Sequence, residues 1–162
     1  MSALEGKANP IPQGNYVPAS RFGNLIYTAG MTPRKNGILI QSGKVMTTEP
    51  VDTYKSAVRQ AVANALTAAK NLLTEQEQLE QILSLTVYIQ AEETFQAHSN
   101  LADFASEYLY EQLGNSGIGS RAAIGVATLP GNAPIEIQLI AGVSSKNKFA
   151  TYLSVGLSKN YL

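Results

Sequence analysis

The spacing of apolar residues changes period several times along the chain, and each change marks an element. FGNLIYTA (22–29) mixes β-branched and aromatic residues in a short run and predicts a strand. TPRKNG (32–37) carries turn residues, and GILIQSGKV (37–45) supplies one or two short strands around a glycine turn at Gly43. From Pro50 the apolar or small positions recur at i, i+3, i+4 and i+7. They run from Val51 and Tyr54 through Val58, Ala61 and Ala65 to Leu73 and predict an amphipathic helix. Its apolar face is rich in alanine, so it can lie close on a sheet. Asp52 near its start suits the positive end of the helix dipole.

ILSLTVYIQ (82–90) alternates with period two. Leu83, Leu85, Val87 and Ile89 share one face, and Ser84, Thr86 and Tyr88 share the other. That second face suits a wet cavity or a subunit contact. A second helix is predicted over about 94–113, with Thr94 as its N-cap. Phe95, Leu101, Ala102, Ala105, Leu109 and Leu113 form its inner stripe, and Gly114, Gly117 and Gly119 end it. Two final strands, 121–129 and 135–143, are expected to pair as an antiparallel hairpin. The order is then β-β-α-β-α-β-β, an α+β mixed sheet with two helices on one face. Its other face would be bare, and an apolar bare face calls for cover by further copies of the chain.

Composition narrows this picture. The 162 residues fit one domain, with a core over about 14–143 and an extension over 144–162. Only 15% of residues are charged, and 12 basic residues balance 12 acidic ones. The basic residues are scattered, so no stripe predicts a nucleic-acid partner. There is no cysteine, which excludes disulfides, thiolate catalysis and Cys-based zinc sites. A single histidine, His98, cannot build a His-rich metal site and is expected to be structural. GNSGIG (114–119) is no phosphate loop, so no cofactor is expected. The first residues lack an apolar leader core, and no apolar run approaches the ~18 residues of a membrane span. The expectation is a soluble, cytoplasmic protein.

Arg121 and Glu136 stand out, each a lone charge in an otherwise uncharged strand. In the predicted hairpin Arg121 lies opposite about Val143, roughly seven positions from Glu136, which is more than ~20 Å. The two charges would sit at opposite ends and could share a site only across a subunit boundary.

Four stretches carry a resemblance: GNYVPA (14–19), GNLIYTAGMTPRKNG (23–37), NALTAAKNLL (64–73) and, most specifically, SRAAIGVATLPGNAPIEIQLIA (120–141). They resemble the Rid family, the YjgF-type reactive-intermediate deaminases also known as L-PSP endoribonuclease-like proteins. The resemblance runs over about 14–143. It implies a chorismate-mutase-like fold, a homotrimer, and clefts between subunits where 2-imino or enamino acids are hydrolysed to 2-keto acids and ammonia. Carried over by position, it makes Arg121 the grip on a substrate carboxylate and Glu136 the acid near the attacking water. Tyr16 becomes an aromatic wall of the cleft, and Gly30 stays as in the family. Ala29 stands where the family has serine, Met31 where it has glutamine, and Asp103 where it has asparagine. These changes remove a hydroxyl and an amide, add a charge, and resemble a longer-chain branch. A non-catalytic trimer that binds a small carboxylate or a protein partner in a regulatory role is the alternative, and an endoribonuclease is a further, less favoured one.

The chemistry needs little. An imine carbon is already electrophilic, a guanidinium fork matches two carboxylate oxygens, and a carboxylate can orient water or take its proton.

Overall fold

The computed structural model describes residues 8–147, so the predicted extension falls, beyond residue 147, outside the described residues. The chain runs β1 (Ala19–Phe22), β2 (Leu25–Thr28), β3 (Arg34–Lys35), β4 (Ile38–Leu39), α1 (Lys55–Lys70), β5 (Glu77–Gln90), α2 (His98–Leu113), β6 (Ser120–Val126) and β7 (Ile135–Ser145). A five-stranded sheet has the order β1-β2-β7-β5-β6, and β3 and β4 form a small separate pair. Without that pair, the order is the predicted β-β-α-β-α-β-β. The sheet is mixed, since β5 pairs with β6 in parallel and with β7 antiparallel.

Both helices cover one face. α1 lies on β2 and β7, α2 lies on β6, and the two helices touch. Ala57, Ala61, Ala65 and Ala69 of α1 are fully buried, as an alanine-rich face against a sheet requires. Ile26, Ile82, Leu101, Ile135 and Ile137 are buried completely and each contributes roughly 1.5–3 kcal/mol. Among the described residues no helix is long and apolar enough to cross a membrane.

The predicted β6–β7 hairpin does not form. α2 carries the chain back to lay β6 parallel to β5, as a helical crossover between parallel strands does. β7 then takes the opposite edge of β5. The link from β6 to β7 must therefore pass over the C-terminal end of β5. Gln90, 2% exposed, props it there. Its Nε2 donates to Asn132 Oδ1 at 2.6 Å, and its Oε1 accepts from the Leu129 N–H at 2.6 Å. A tight turn would have no room for this side chain.

Smaller corrections have local causes. The predicted strand 22–29 is broken by a turn at Gly23 (φ 58°), so Phe22 closes β1 and Leu25 opens β2. Within 37–45 only Ile38 and Leu39 are paired in a strand, while Val45 makes a single bridge to Ala91. The first helix opens with a 3-10 turn, Val51–Tyr54, before α1 begins. α2 starts at His98 with Ala97 as N-cap; Thr94 instead lies in a turn closed by the Phe95 N–H to Glu92 O bond. Phe104 joins the core stripe of α2. A register shift between Ile82 and Ser84 puts Ile82 in the core and leaves Leu83 42% exposed on the other face.

That other face carries no helix. Phe22 is 85% exposed, and Tyr27, Leu83 and Ile124 are each about 40% exposed on it. Such a patch is unusual on a monomer.

Candidate functional site

The expected site residues fall into two groups. Arg121 lies on edge strand β6 opposite Leu85, which is buried, so its side chain leaves the sheet on the helix side. There α2 receives it. Nη1 donates to Asp103 Oδ1 at 2.7 Å and to Ser106 Oγ at 2.9 Å. Nη2 donates to Ser99 Oγ at 2.9 Å and to the Ser99 carbonyl at 3.4 Å. Residues 99, 103 and 106 lie at i, i+4 and i+7, one stripe of a helix. The Arg121 side chain is 21% exposed and the Asp103 side chain 55%, so both reach the surface as a fixed pair.

Glu136 lies on β7 opposite Tyr88 and leaves the sheet on the helix-free face. It is half-buried, and that burial pushes its carboxyl above the ordinary carboxylate range. Gly30 makes its position possible. A Cβ on Gly30 would lie 2.4 Å from Glu136 Oε1. The bare backbone there lets the carboxylate lie across the chain. The segment is held beside β7 because Met31 exchanges backbone bonds with Ile137, at 2.8 and 2.9 Å. From the other side Asn64 of α1 donates to the carbonyls of Thr32 and Arg34.

The expected cleft residue Met31 is 6% exposed and packs in the core; what it offers the site is this backbone register. Ala29 packs against the core edge, its N–H bonded to the Pro18 carbonyl at 2.9 Å. Tyr16 is 47% exposed, and its hydroxyl accepts from the Gln13 N–H. With Gly30, Thr32 and Asn64 it lines a cavity of about 360 Å³.

Gly30 thus lies against Glu136, with Ala29 and Met31 as its chain neighbours; Tyr16 shares the cavity on the α1 side of that segment, which Glu136 does not line, and Asp103 lies with Arg121. Within one chain the two groups are apart. Leu85 and Tyr88, their rungs on β5, are three residues apart, about 10 Å along the strand. Two strand spacings add about 10 Å across, so the Cα atoms are roughly 14 Å apart. The side chains also leave opposite faces. The charges fail to meet because of facing, and the expected span of a hairpin plays no part.

Ser99 and Ser106 were not anticipated. Their only signal was helical spacing from Asp103, and that becomes informative once β6 is known to lie beside α2. His98 packs edge-on against Phe95, with ring centroids 5.1 Å apart, and its Nε2 approaches Gly125 so closely that a Cβ there would lie 2.7 Å away. Both contacts suit a structural histidine. Among the described residues no group of three His, Cys, Asp or Glu side chains could hold a metal ion.

Comparison with known proteins agrees with this architecture. Protein Atu1372 of Agrobacterium tumefaciens, a crystal structure of unknown function, superposes with a TM-score of 0.74 at 29% identity, over 86% of this chain and 87% of that one. The YjgF gene product of E. coli superposes with a TM-score of 0.58 at 24% identity, over 83% and 92% of the two chains. Protein TCP17 of Trypanosoma cruzi is 22% identical over 135 residues, 83% of this chain and 84% of its own. The family model described as Endoribonuclease L-PSP matches residues 6–143, and the chain accordingly belongs to that family, the YjgF or Rid type.

Proposed function

We propose that the protein is a hydrolytic deaminase of reactive 2-imino or enamino acids, working at clefts between the subunits of a homotrimer. The observation that carries this reading is the division of the site. Each chain offers a guanidinium on the α2 side of one sheet edge and a half-buried carboxylate on the opposite face. Neither group can complete the site alone, and the exposed apolar face supplies a surface on which copies can associate.

In this reading Arg121 holds the substrate carboxylate and so fixes where the C=N carbon lies. Glu136 from a neighbouring subunit orients a water and takes its proton as the oxygen bonds to that carbon. The tetrahedral carbinolamine collapses when its nitrogen, protonated by the Glu136 carboxyl, leaves as ammonia, and the hydroxyl proton released as C=O forms passes through the carboxylate to that ammonia. The balance is one iminium and one water in, one keto acid and one ammonium out. A carboxyl raised above its usual range is a stronger base than an ordinary one once ionised. Gly30 keeps the space in which it sits.

The test is keto-acid release from a 2-imino acid generated in situ by an amino-acid oxidase. Because the base must be ionised, kcat/KM should fall as pH falls through a midpoint above the ordinary carboxylate value of 4.5. Glu136→Gln should abolish that limb with most of the activity. An unaccelerated reaction, with carboxylates still bound, would support a small-carboxylate-binding trimer instead.

A further inference from the structure

We propose that Asp103 is a specificity-determining residue. It makes the Arg121 half-site select ligands in which a cationic nitrogen stands next to the carboxylate, and disfavour simple carboxylates. This rests on the reading that Arg121 holds a carboxylate.

The argument begins with charge. A lone guanidinium attracts any anion, but Arg121 is not alone. Asp103 Oδ1 lies 2.7 Å from Nη1, and Ser106 and Ser99 take further hydrogens of the fork. The pair is neutral overall before any ligand arrives. A ligand carboxylate drawn to the same guanidinium comes within a few ångströms of a second carboxylate, and like charges at that distance repel. Specificity often rests on such a repulsive element.

The repulsion is relieved when the ligand brings its own positive charge. In a 2-iminio acid or an α-amino acid the nitrogen is on the α-carbon, two bonds from the carboxylate carbon. A carboxylate on Arg121 therefore leaves the nitrogen a few ångströms away, the spacing at which Asp103 stands from the same fork. Asp103 is free to meet it, because its side chain remains 55% exposed while bonded to Arg121. The keto-acid product has lost that cation, so the same pair favours its release. Asparagine at this position would keep the hydrogen bond to Arg121 and lose the discrimination.

The experiment compares two ligands that differ only in –NH3⁺ against –OH, L-alanine and L-lactate. Each is titrated calorimetrically into the full chain, into Asp103→Asn and into Arg121→Ala, at low ionic strength. The wild type should bind L-alanine about tenfold or more tightly than L-lactate. In Asp103→Asn lactate should tighten and alanine weaken until the preference is gone. Added salt should erode the wild-type preference. The proposal is overturned if Asp103→Asn changes both affinities by the same factor or neither. Arg121→Ala separates the two levels: it should weaken both ligands. If it leaves both unchanged, or no variant binds either ligand, the carboxylate-holding role of Arg121 fails and the selectivity fails with it.

Discussion

Arg121→Ala should lower kcat/KM for a 2-imino acid by at least about 100-fold while leaving the fold intact. A charge-assisted grip sets both affinity and orientation, and losing both costs more than losing one ordinary hydrogen bond. The fold should tolerate the change, because the Asp103 partner left behind is 55% exposed and can be hydrated. The melting temperature should therefore stay within a few degrees of wild type. Keto-acid release within about threefold of wild type would remove Arg121 from the mechanism.

The largest effect on stability is expected at Gly119, where the chain enters β6. A Cβ there would lie 2.0 Å from the Ile82 carbonyl oxygen and 2.8 Å from its carbon. Those atoms are backbone at the bulge of β5, so no side-chain rotation relieves the clash. The junction is also pinned: Ser120 Oγ donates to the Leu83 carbonyl at 2.7 Å, and Gln81 Nε2 donates to the Ile118 carbonyl at 2.6 Å. Gly119→Ala should cost about 3 kcal/mol or more and lower the melting temperature by about 10 °C at fixed protein concentration. Gly23→Ala is the control. It has φ 58° and nothing within 4 Å of a Cβ, so only backbone strain of about 1 kcal/mol applies. Equal effects of the two substitutions would show that crowding at the bulge is not what requires glycine.

Local pattern was enough for the elements that are locally determined. The i, i+3, i+4 recurrence of Val58, Ala61, Ala65 and Leu66 located α1, since a helix makes its hydrogen bonds within itself. Leu85, Val87 and Ile89 marked the buried face of β5 for the same reason of period. Strand partners are another matter. The sequence of β6 and β7 shows two strands separated by a turn-like LPGNAP, and that is compatible with a hairpin or with two edges of a third strand. The choice lies in distant contacts: the crossover through α2, and the buried Gln90 amide beneath the link. Leu83 was placed on the wrong face because a bulge leaves no trace in an apolar run. The site followed the same division. Arg121 and Glu136 stand out in the sequence as lone charges, and the roles expected of them, like that of Gly30, come only from the resemblance, whereas the hold of Ser99 and Ser106 on Arg121 depends on which helix lies beside β6.

The central claim is that Arg121 and Glu136 act together from different subunits. Two inactive variants, Arg121→Ala and Glu136→Gln, are unfolded, mixed in equal amounts and refolded together. In random trimers about three quarters are mixed, and each mixed trimer has one of its three clefts built from an intact Arg121 and an intact Glu136. Keto-acid release should then return to about one quarter of the wild-type rate, although neither variant alone recovers. If the mixture stays as inactive as its components while light scattering confirms trimers, the two residues do not share a cleft, and the interfacial site is wrong.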